Sequence, residues 1–411
     1  MKNLETSFLG ISSPNPFWLS SAPPANSAEQ VMRAFDAGWG GAVWKTIGKP
    51  TPNVSSRLSA LDSSNSKMIG LNNIELISDR PAEVNLREMA EVKKKYPKHA
   101  LIASLMVETE EEWKDLIRRS EEAGCDGIEL NFGCPHGMCE RGMGSAVGQE
   151  PKVVEKITQL VKGVARIPVI VKLTPNITDI TVPAEAAFRA GADAVSLINT
   201  IKSIIHVDID TFIPYPIVGN KSTNGGYCGP AVKPIALQMI GAIARKKGSQ
   251  LPISGMGGIS NWRDAVEFLL MGASNLQVCT AVMHYGYRII EDLTQGLSDY
   301  MTEKGFQSVS EIVGKAVSNY TNWESLDLDY KVVAKIHEQH CIRCNLCVVS
   351  CNDGGHQCID LGPKSKEERG TPIVREVDCV GCNLCMLVCP SPGAITMDKI
   401  SSQDVRHTIA H

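Results

Sequence analysis

One run of cysteines is written twice near the end of the chain, at a spacing that an ordinary hydrophobic core does not require. Cys341-x2-Cys344-x2-Cys347-x3-Cys351 is followed by Cys379-x2-Cys382-x2-Cys385-x3-Cys389-Pro390, the second copy starting 38 residues after the first. Thiolates are soft ligands that suit iron–sulfide cores, and the x2 spacing lets consecutive sulfurs converge on one cube. The thiol three residues further on points away along a short helix and reaches the other cube. One four-iron cluster is therefore expected on Cys341, Cys344, Cys347 and Cys389, and a second on Cys379, Cys382, Cys385 and Cys351. Zinc is the alternative, but its paired CxxC ligands would leave the remaining thiols of each run surplus. Cys351 is followed by Asn352 rather than Pro, which alters a turn and not a ligand.

The other cysteines decide the compartment. Of 14 in all, five are scattered from Cys125 to Cys279 and nine crowd between Cys341 and Cys389. A secreted disulfide scaffold would be small and would spread its cysteines throughout. Here they follow a long stretch of ordinary composition, which fits cluster binding in a reducing cytoplasm. The N-terminal residues carry Glu5 early, with Pro14 and Pro16 soon after, and so do not read as a signal peptide. No apolar run approaches the roughly 18 residues that span a bilayer. A net charge of −4 points to neither nucleic acid nor an anionic membrane. The chain is expected to be soluble and cytoplasmic, with 411 residues divided into two or three units.

Ahead of the cysteine runs, short apolar segments alternate with amphipathic ones. Candidate strands are Phe17–Ser20, Ala42–Lys45, Leu101–Met106, Gly127–Asn131, Val169–Leu173, Ala194–Ile198, Ile253–Ser254 and Leu276–Val278. Between them lie helical patterns such as Ala28–Ala37, Glu110–Ala123 and Trp262–Met271, several closed by Ala-Gly or Gly, a helix-stop signal. Eight such alternations predict a closed (β/α)8 barrel over residues 1–304, with an open doubly wound sheet as the alternative. Gly255-Met256-Gly257-Gly258 falls short of GxGxxG, so a dinucleotide site of that kind is not supported. Residues 305–334 are expected to form a helical linker. Residues 335–411 are expected to form a small α+β ferredoxin-like domain.

Catalytic groups of such barrels sit at the C-terminal strand ends. Ser20-Ser21, Lys45-Thr46, Asn131, Lys172, Asn199-Thr200, Gly257-Gly258 and Cys279-Thr280 all fall there by period. The last two places are where barrels commonly cradle a phosphate on backbone N–H groups. Taken singly, each residue has a plainer reading: a surface-reaching lysine, or Asn and Thr serving turns. Their convergence on one rim favours a phosphate-bearing cofactor with two cationic neighbours. The loop from Asn131 to Gly144 is glycine-rich and carries Cys134 and Cys139. A thiol on a mobile lid can shuttle a proton to a substrate. Spacing leaves the choice between the two near even; Cys134 lies closer to the strand end.

Taken together, Asn15-Pro16-Phe17, Ala37-Gly38-Trp39-Gly40, Asn73 to Ser78, Asn131 to Gly144, Lys172 to Asn176, Leu276 to Cys279 and the ferredoxin runs resemble the dihydropyrimidine dehydrogenase family over nearly the whole chain. The resemblance implies FMN on the barrel and two [4Fe–4S] clusters. Ser21, Lys45, Thr46, Asn131, Lys172, Gly229, Gly257, Gly258, Cys279 and Thr280 would hold FMN. Asn73, Asn131, Asn199 and Thr200 would face a pyrimidine, and Cys134 would be the general acid. Gly133 departs from the serine of single-chain members, which would remove one substrate contact. The resemblance also implies NADH as electron source through an FAD- and NAD-binding partner subunit, in a heterotetramer of two of each. Two other readings stand beside it. One is a dihydroorotate dehydrogenase, and the other is an electron carrier whose barrel only relays charge.

Overall fold

The computed structural model describes residues 2–63, 66–135, 137–363 and 370–400. Residues 401–411, the end of the expected ferredoxin-like domain, and His136 of the loop lie outside these. The chain divides into two units, Met1–Tyr320 and Thr321–His411.

In the first unit, eight strands close a barrel in chain order, each parallel to its neighbours. They are β1 (Phe17–Leu19), β2 (Gly41–Val43), β3 (Ala100–Leu105), β4 (Gly127–Asn131), β5 (Val169–Lys172), β6 (Ala194–Leu197), β7 (Ile253–Gly255) and β8 (Asn275–Val278). Every residue of these strands is buried, as expected of parallel strands covered by helices. Helix boundaries follow local chemistry. The helix Ala28–Ala37 starts where Ser27 accepts the Gln30 N–H and stops at Gly38, whose φ of 112° a side chain would resist. Glu110–Glu122 opens on a reciprocal Thr109/Glu112 capping box.

The two ends of the barrel differ. A hairpin of Thr6–Phe8 and Ile11–Ser13 packs Phe8 and Ile11 against Trp18, Ala100, Ile102, Ile170 and Ala194, near the strand beginnings. At the opposite end, two insertions build a small antiparallel sheet in the order Ile201–Ser203, Gly225–Cys228, Ser66–Asn73, Leu58–Ser63. The first insertion follows β2 and the second follows β6. Neither strand pair is among those expected from the sequence.

The expected helical linker over 305–334 is instead short 3-10 turns, at Val309–Glu311, Val317–Asn319 and Trp323–Ser325. Its first half belongs to the barrel unit, because Val309 and Ile312 are buried in that core and Gly314 and Ala316 donate to the Leu269 and Leu270 carbonyls. Gly305 and Gly314, with φ of 78° and 77°, break helical continuity over its first half. In the second unit, β9 (Val332–Ile336) pairs antiparallel with β12 (Ile395–Lys399), and β10 (Ile359–Gly362) with β11 (Gly370–Val374). Helix Leu346–Gly354 carries Cys347 and Cys351, and the shorter helix Leu384–Leu387 carries Cys385, with Cys389 just beyond its end. No helix among the described residues is long and apolar enough to cross a membrane.

Candidate active site

A cavity of about 340 Å³ opens at the C-terminal end of the barrel, within the roughly 300–1,000 Å³ usual for small-molecule sites. Every barrel residue expected to hold flavin or to face a pyrimidine lines it. Ser21, Lys45, Thr46, Asn131 and Lys172 come from the ends of β1, β2, β4 and β5. Asn199, Thr200, Gly257, Gly258, Cys279 and Thr280 come after β6, β7 and β8. Asn73 closes a strand of the first insertion, and Gly229 comes directly after the last strand of the second. Alternation puts one polar residue per strand end on the inner face, and closure of the barrel gathers them.

The floor is a connected polar network. Asn199 Nδ2 donates to the Asn131 side-chain Oδ1 at 2.9 Å, and Asn131 Nδ2 donates to Thr46 Oγ1 at 2.9 Å. Thr46 Oγ1 is 3.1 Å from Ser21 Oγ and 3.0 Å from Ser104 Oγ, which donates to Glu129 at 3.2 Å. Glu129 is fully buried and also accepts from Ser196 at 2.8 Å and Gln277 at 3.3 Å. Lys172 Nζ lies 3.5 Å from the same carboxylate. Lys45, equally buried, pairs with Glu75, which Arg57 also approaches at 3.3 Å. Sequence reasoning gives neither carboxylate a role: Glu75 only accompanies a motif, and Glu129 does not stand out. Their partners lie 30 and 43 residues away, a separation that no local pattern reports. The one hint is a carboxylate inside an otherwise apolar strand, Gly127-Ile128-Glu129-Leu130.

Backbone shape sets the opposite wall. Gly229, Gly257 and Gly258 have φ of +96°, +117° and +95°, and a Cβ on Gly258 would lie 2.9 Å from the Gly229 carbonyl oxygen. Successive N–H groups in such conformations form a concavity suited to an anion. On this side burial pushes the Cys228 thiol up to about 11 and raises that of Cys279 as well.

Cys134 is 9% exposed and lines the cavity, whereas Cys139, partly exposed in the turn Cys139–Arg141, is not among the lining residues. The loop is folded, not open: Met138 and Met143 are buried against Cys134, Ile77 and Met106, and Ser145 donates to the Cys134 carbonyl. A Cβ at Gly133 would stand 2.4 Å from the Asn199 side chain, so glycine here is what lets Asn199 take its place.

In the second unit the eight cysteines divide between two small cavities in the crossed pattern. Cys341, Cys344, Cys347 and Cys389 line one; Cys351, Cys379, Cys382 and Cys385 line the other. Thiols spread around the walls of a space are what a cube needs, and backbone N–H groups already reach sulfur, from Arg343 to Cys341 at 3.4 Å and from Ala334 to Cys379 at 3.5 Å.

A sequence profile described as dihydroorotate dehydrogenase matches residues 3–301, and one described as 4Fe-4S dicluster domain matches residues 334–397. The chain is 46% identical, over 89% of each chain, to the NAD-dependent dihydropyrimidine dehydrogenase subunit PreA of Escherichia coli. It belongs to the dihydropyrimidine dehydrogenase family. The chloroplastic dihydropyrimidine dehydrogenase (NADP(+)) of Arabidopsis thaliana is 40% identical over 79% of each chain. The catalytic subunit of dihydroorotate dehydrogenase B of Pyrococcus horikoshii is also 40% identical, over 76% of this chain and 98% of its own. That match leaves about a quarter of the present chain uncovered, whereas the dihydropyrimidine dehydrogenase subunit matches most of it. As a member of this family, the chain is an oxidoreductase that joins a flavin barrel to a four-iron dicluster domain. The residues present fit a flavin. The glycine concavity suits its phosphate, the lysines suit its electron-rich edge, and the buried amide oxygen of Gln277, on the cavity wall, has no partner among the described residues.

Proposed function

We propose that this chain is the catalytic subunit of a dihydropyrimidine dehydrogenase, adding hydrogen across the C5–C6 double bond of uracil or thymine. When bound, FMN supplies the hydride that reaches C6. Cys134 supplies the proton at C5, so one hydride and one proton complete the 5,6-dihydropyrimidine. Asn73, Asn131, Asn199 and Thr200 orient the ring, because amide side chains donate to an imide carbonyl and accept from its N–H. Ser21, Lys45, Thr46, Asn131, Lys172, Gly229, Gly257, Gly258, Cys279 and Thr280 hold the flavin. Lys172 steadies the negative charge of the reduced ring. NADH is the electron source through an FAD- and NAD-binding partner subunit, two of each forming a heterotetramer; Cys341, Cys344, Cys347 and Cys389, and Cys351, Cys379, Cys382 and Cys385, would hold the two four-iron clusters, which would supply one-electron transfer. The name of the E. coli relative, a subunit of an NAD-dependent enzyme, supports a partner subunit and NAD dependence.

The observation that carries the reading is the meeting of all these barrel residues, from seven strand ends and two insertions, with Cys134 in one cavity. Dihydroorotate dehydrogenase is the competing reading, and orotate's carboxylate calls for a cation. Lys45 and Lys172, the lysines lining the cavity, are already assigned to the flavin, and the dihydropyrimidine dehydrogenase subunit matches more of the chain than the dihydroorotate dehydrogenase subunit does. Anaerobic purification should yield about eight irons and one FMN per chain. The chain should be inactive with NADH alone, yet reduce uracil or thymine, and not orotate, with a reduced viologen. Turnover of orotate, or failure of both pyrimidines to reoxidise the reduced flavin, would overturn this reading.

A further inference from the structure

Nine cysteines lie between Cys341 and Cys389, and the two clusters use eight. The ninth, Cys358, is 3% exposed and lines the cavity of Cys351, Cys379, Cys382 and Cys385. Its Sγ is 3.6 Å from Cys351 Sγ, and its backbone N–H donates to that same sulfur at 3.4 Å. The internal repeat supplies a control. Cys358 precedes Ile359, which opens β10, as Ala394 precedes Ile395, which opens β12. Ala394 is 1% exposed and lines the other cavity, with a methyl group where Cys358 has a thiol. Cys389, the counterpart of Cys351, has its sulfur 3.5 Å from the Ser391 carbonyl, which cannot donate.

We propose that Cys358 is a hydrogen-bond donor to the sulfur of Cys351 and raises the reduction potential of that cluster alone. This rests on the assignment of both runs to four-iron clusters. Once Cys351 is a ligand it is a thiolate, so of the two sulfurs only Cys358 keeps a proton to donate. On reduction the cluster takes up one electron, no bond is made or broken, and the added negative charge spreads onto the ligand sulfurs. A donor at one of them favours the reduced form, and hydrogen bonds to sulfur are among the factors that set these potentials. The two halves of a repeated domain would thereby hold electrons unequally.

The test is an anaerobic redox titration with dithionite of the full chain, following both clusters by electron paramagnetic resonance alongside iron content. Cys358→Ala should keep about eight irons and shift one cluster's reduction equilibrium about tenfold toward the oxidised form, ~59 mV for one electron. The other cluster should not move, and Cys358→Ser, which retains an O–H donor, should restore most of the shift. Two unmoved midpoints in Cys358→Ala overturn the proposal, as does a serine variant that matches the alanine one. Loss of half the iron in Cys358→Ala makes Cys358 a ligand and also overturns it. An unaltered chain without four-iron clusters would instead defeat the assignment on which the proposal rests.

Discussion

Cys134 is held by its surroundings more than by its own flexibility. Its carbonyl is fixed by the Ser145 N–H and its neighbours Met138 and Met143 are buried, so the thiol is presented at the cavity from a packed turn. Cys134→Ala removes one sulfur without disturbing that backbone. Flavin content should stay unchanged while uracil turnover falls by about 10²–10⁴, the usual share of a positioned proton donor. Normal turnover by a flavin-loaded alanine variant would remove the acid assignment. The residues that set the charge of the site are harder to read. Lys45 and Lys172 are visible at strand ends, but Glu75 and Glu129, which neutralise them, acquire meaning only when the barrel closes. Breaking a buried pair of this kind costs roughly 3–5 kcal/mol, because the remaining charge has lost its partner.

At the level of elements, the barrel is legible in the sequence because its signals are local. Buried strands are short apolar runs, and Gly38, Gly124 and Gly191 stop helices where the chain must turn with φ of 112°, 81° and 85°. The sheet over the mouth is not legible, since Ser66-Lys67-Met68-Ile69-Gly70-Leu71-Asn72-Asn73 shows no clean alternation and pairs with a strand more than a hundred residues away. The glycine wall lies between these extremes. Gly257-Gly258 is readable as a close approach to an anion, and the structure adds that a Cβ on Gly258 would come within 2.9 Å of the Gly229 carbonyl oxygen and of Lys233. Gly258→Ala places a methyl group there at a φ that L-residues avoid, costing about 1–2 kcal/mol before any clash. The variant should keep its far-ultraviolet circular dichroism but bind FMN at least tenfold more weakly, measured by flavin fluorescence on dilution. Unchanged FMN affinity would remove the wall from the phosphate site. In the second unit, Arg343, Asn345, Gly381 and Asn383 all have φ between 55° and 70°, one pair per cysteine run. The repeated turn is thus built into the backbone, and the sequence marks it by the Asn that stands between the second and third cysteine of each run, Asn345 and Asn383.

For the molecule as a whole, the two units rest on different kinds of core. The barrel buries dozens of aliphatic and aromatic side chains, while the core of the second unit is largely sulfur: Cys347, Cys351, Cys358 and Cys385 with Ala334, Val348, Ile359 and Ile395. A domain of this size has little apolar area to offset its chain entropy and relies on an inorganic centre to fold. Iron removal by a chelator under reducing conditions should therefore unfold residues 321–400 first. Amide hydrogen exchange there would rise to that of an unstructured chain while β1–β8 stay protected. Equal loss of protection in both units would show that the clusters do not stabilise their own domain selectively. The barrel presents a different division of labour. The residues proposed to hold flavin come almost wholly from strand ends, whereas Asn73 and the wall formed by Leu71, Tyr227 and Cys228 come from the two inserted segments. Only Asn73 of the proposed ring contacts comes from an insert; Asn131, Asn199, Thr200 and Cys134 belong to the same rim as the proposed flavin contacts. A lineage could therefore reshape the roof over the ring by changing its inserts, while the grip on ring and cofactor together stays tied to the barrel.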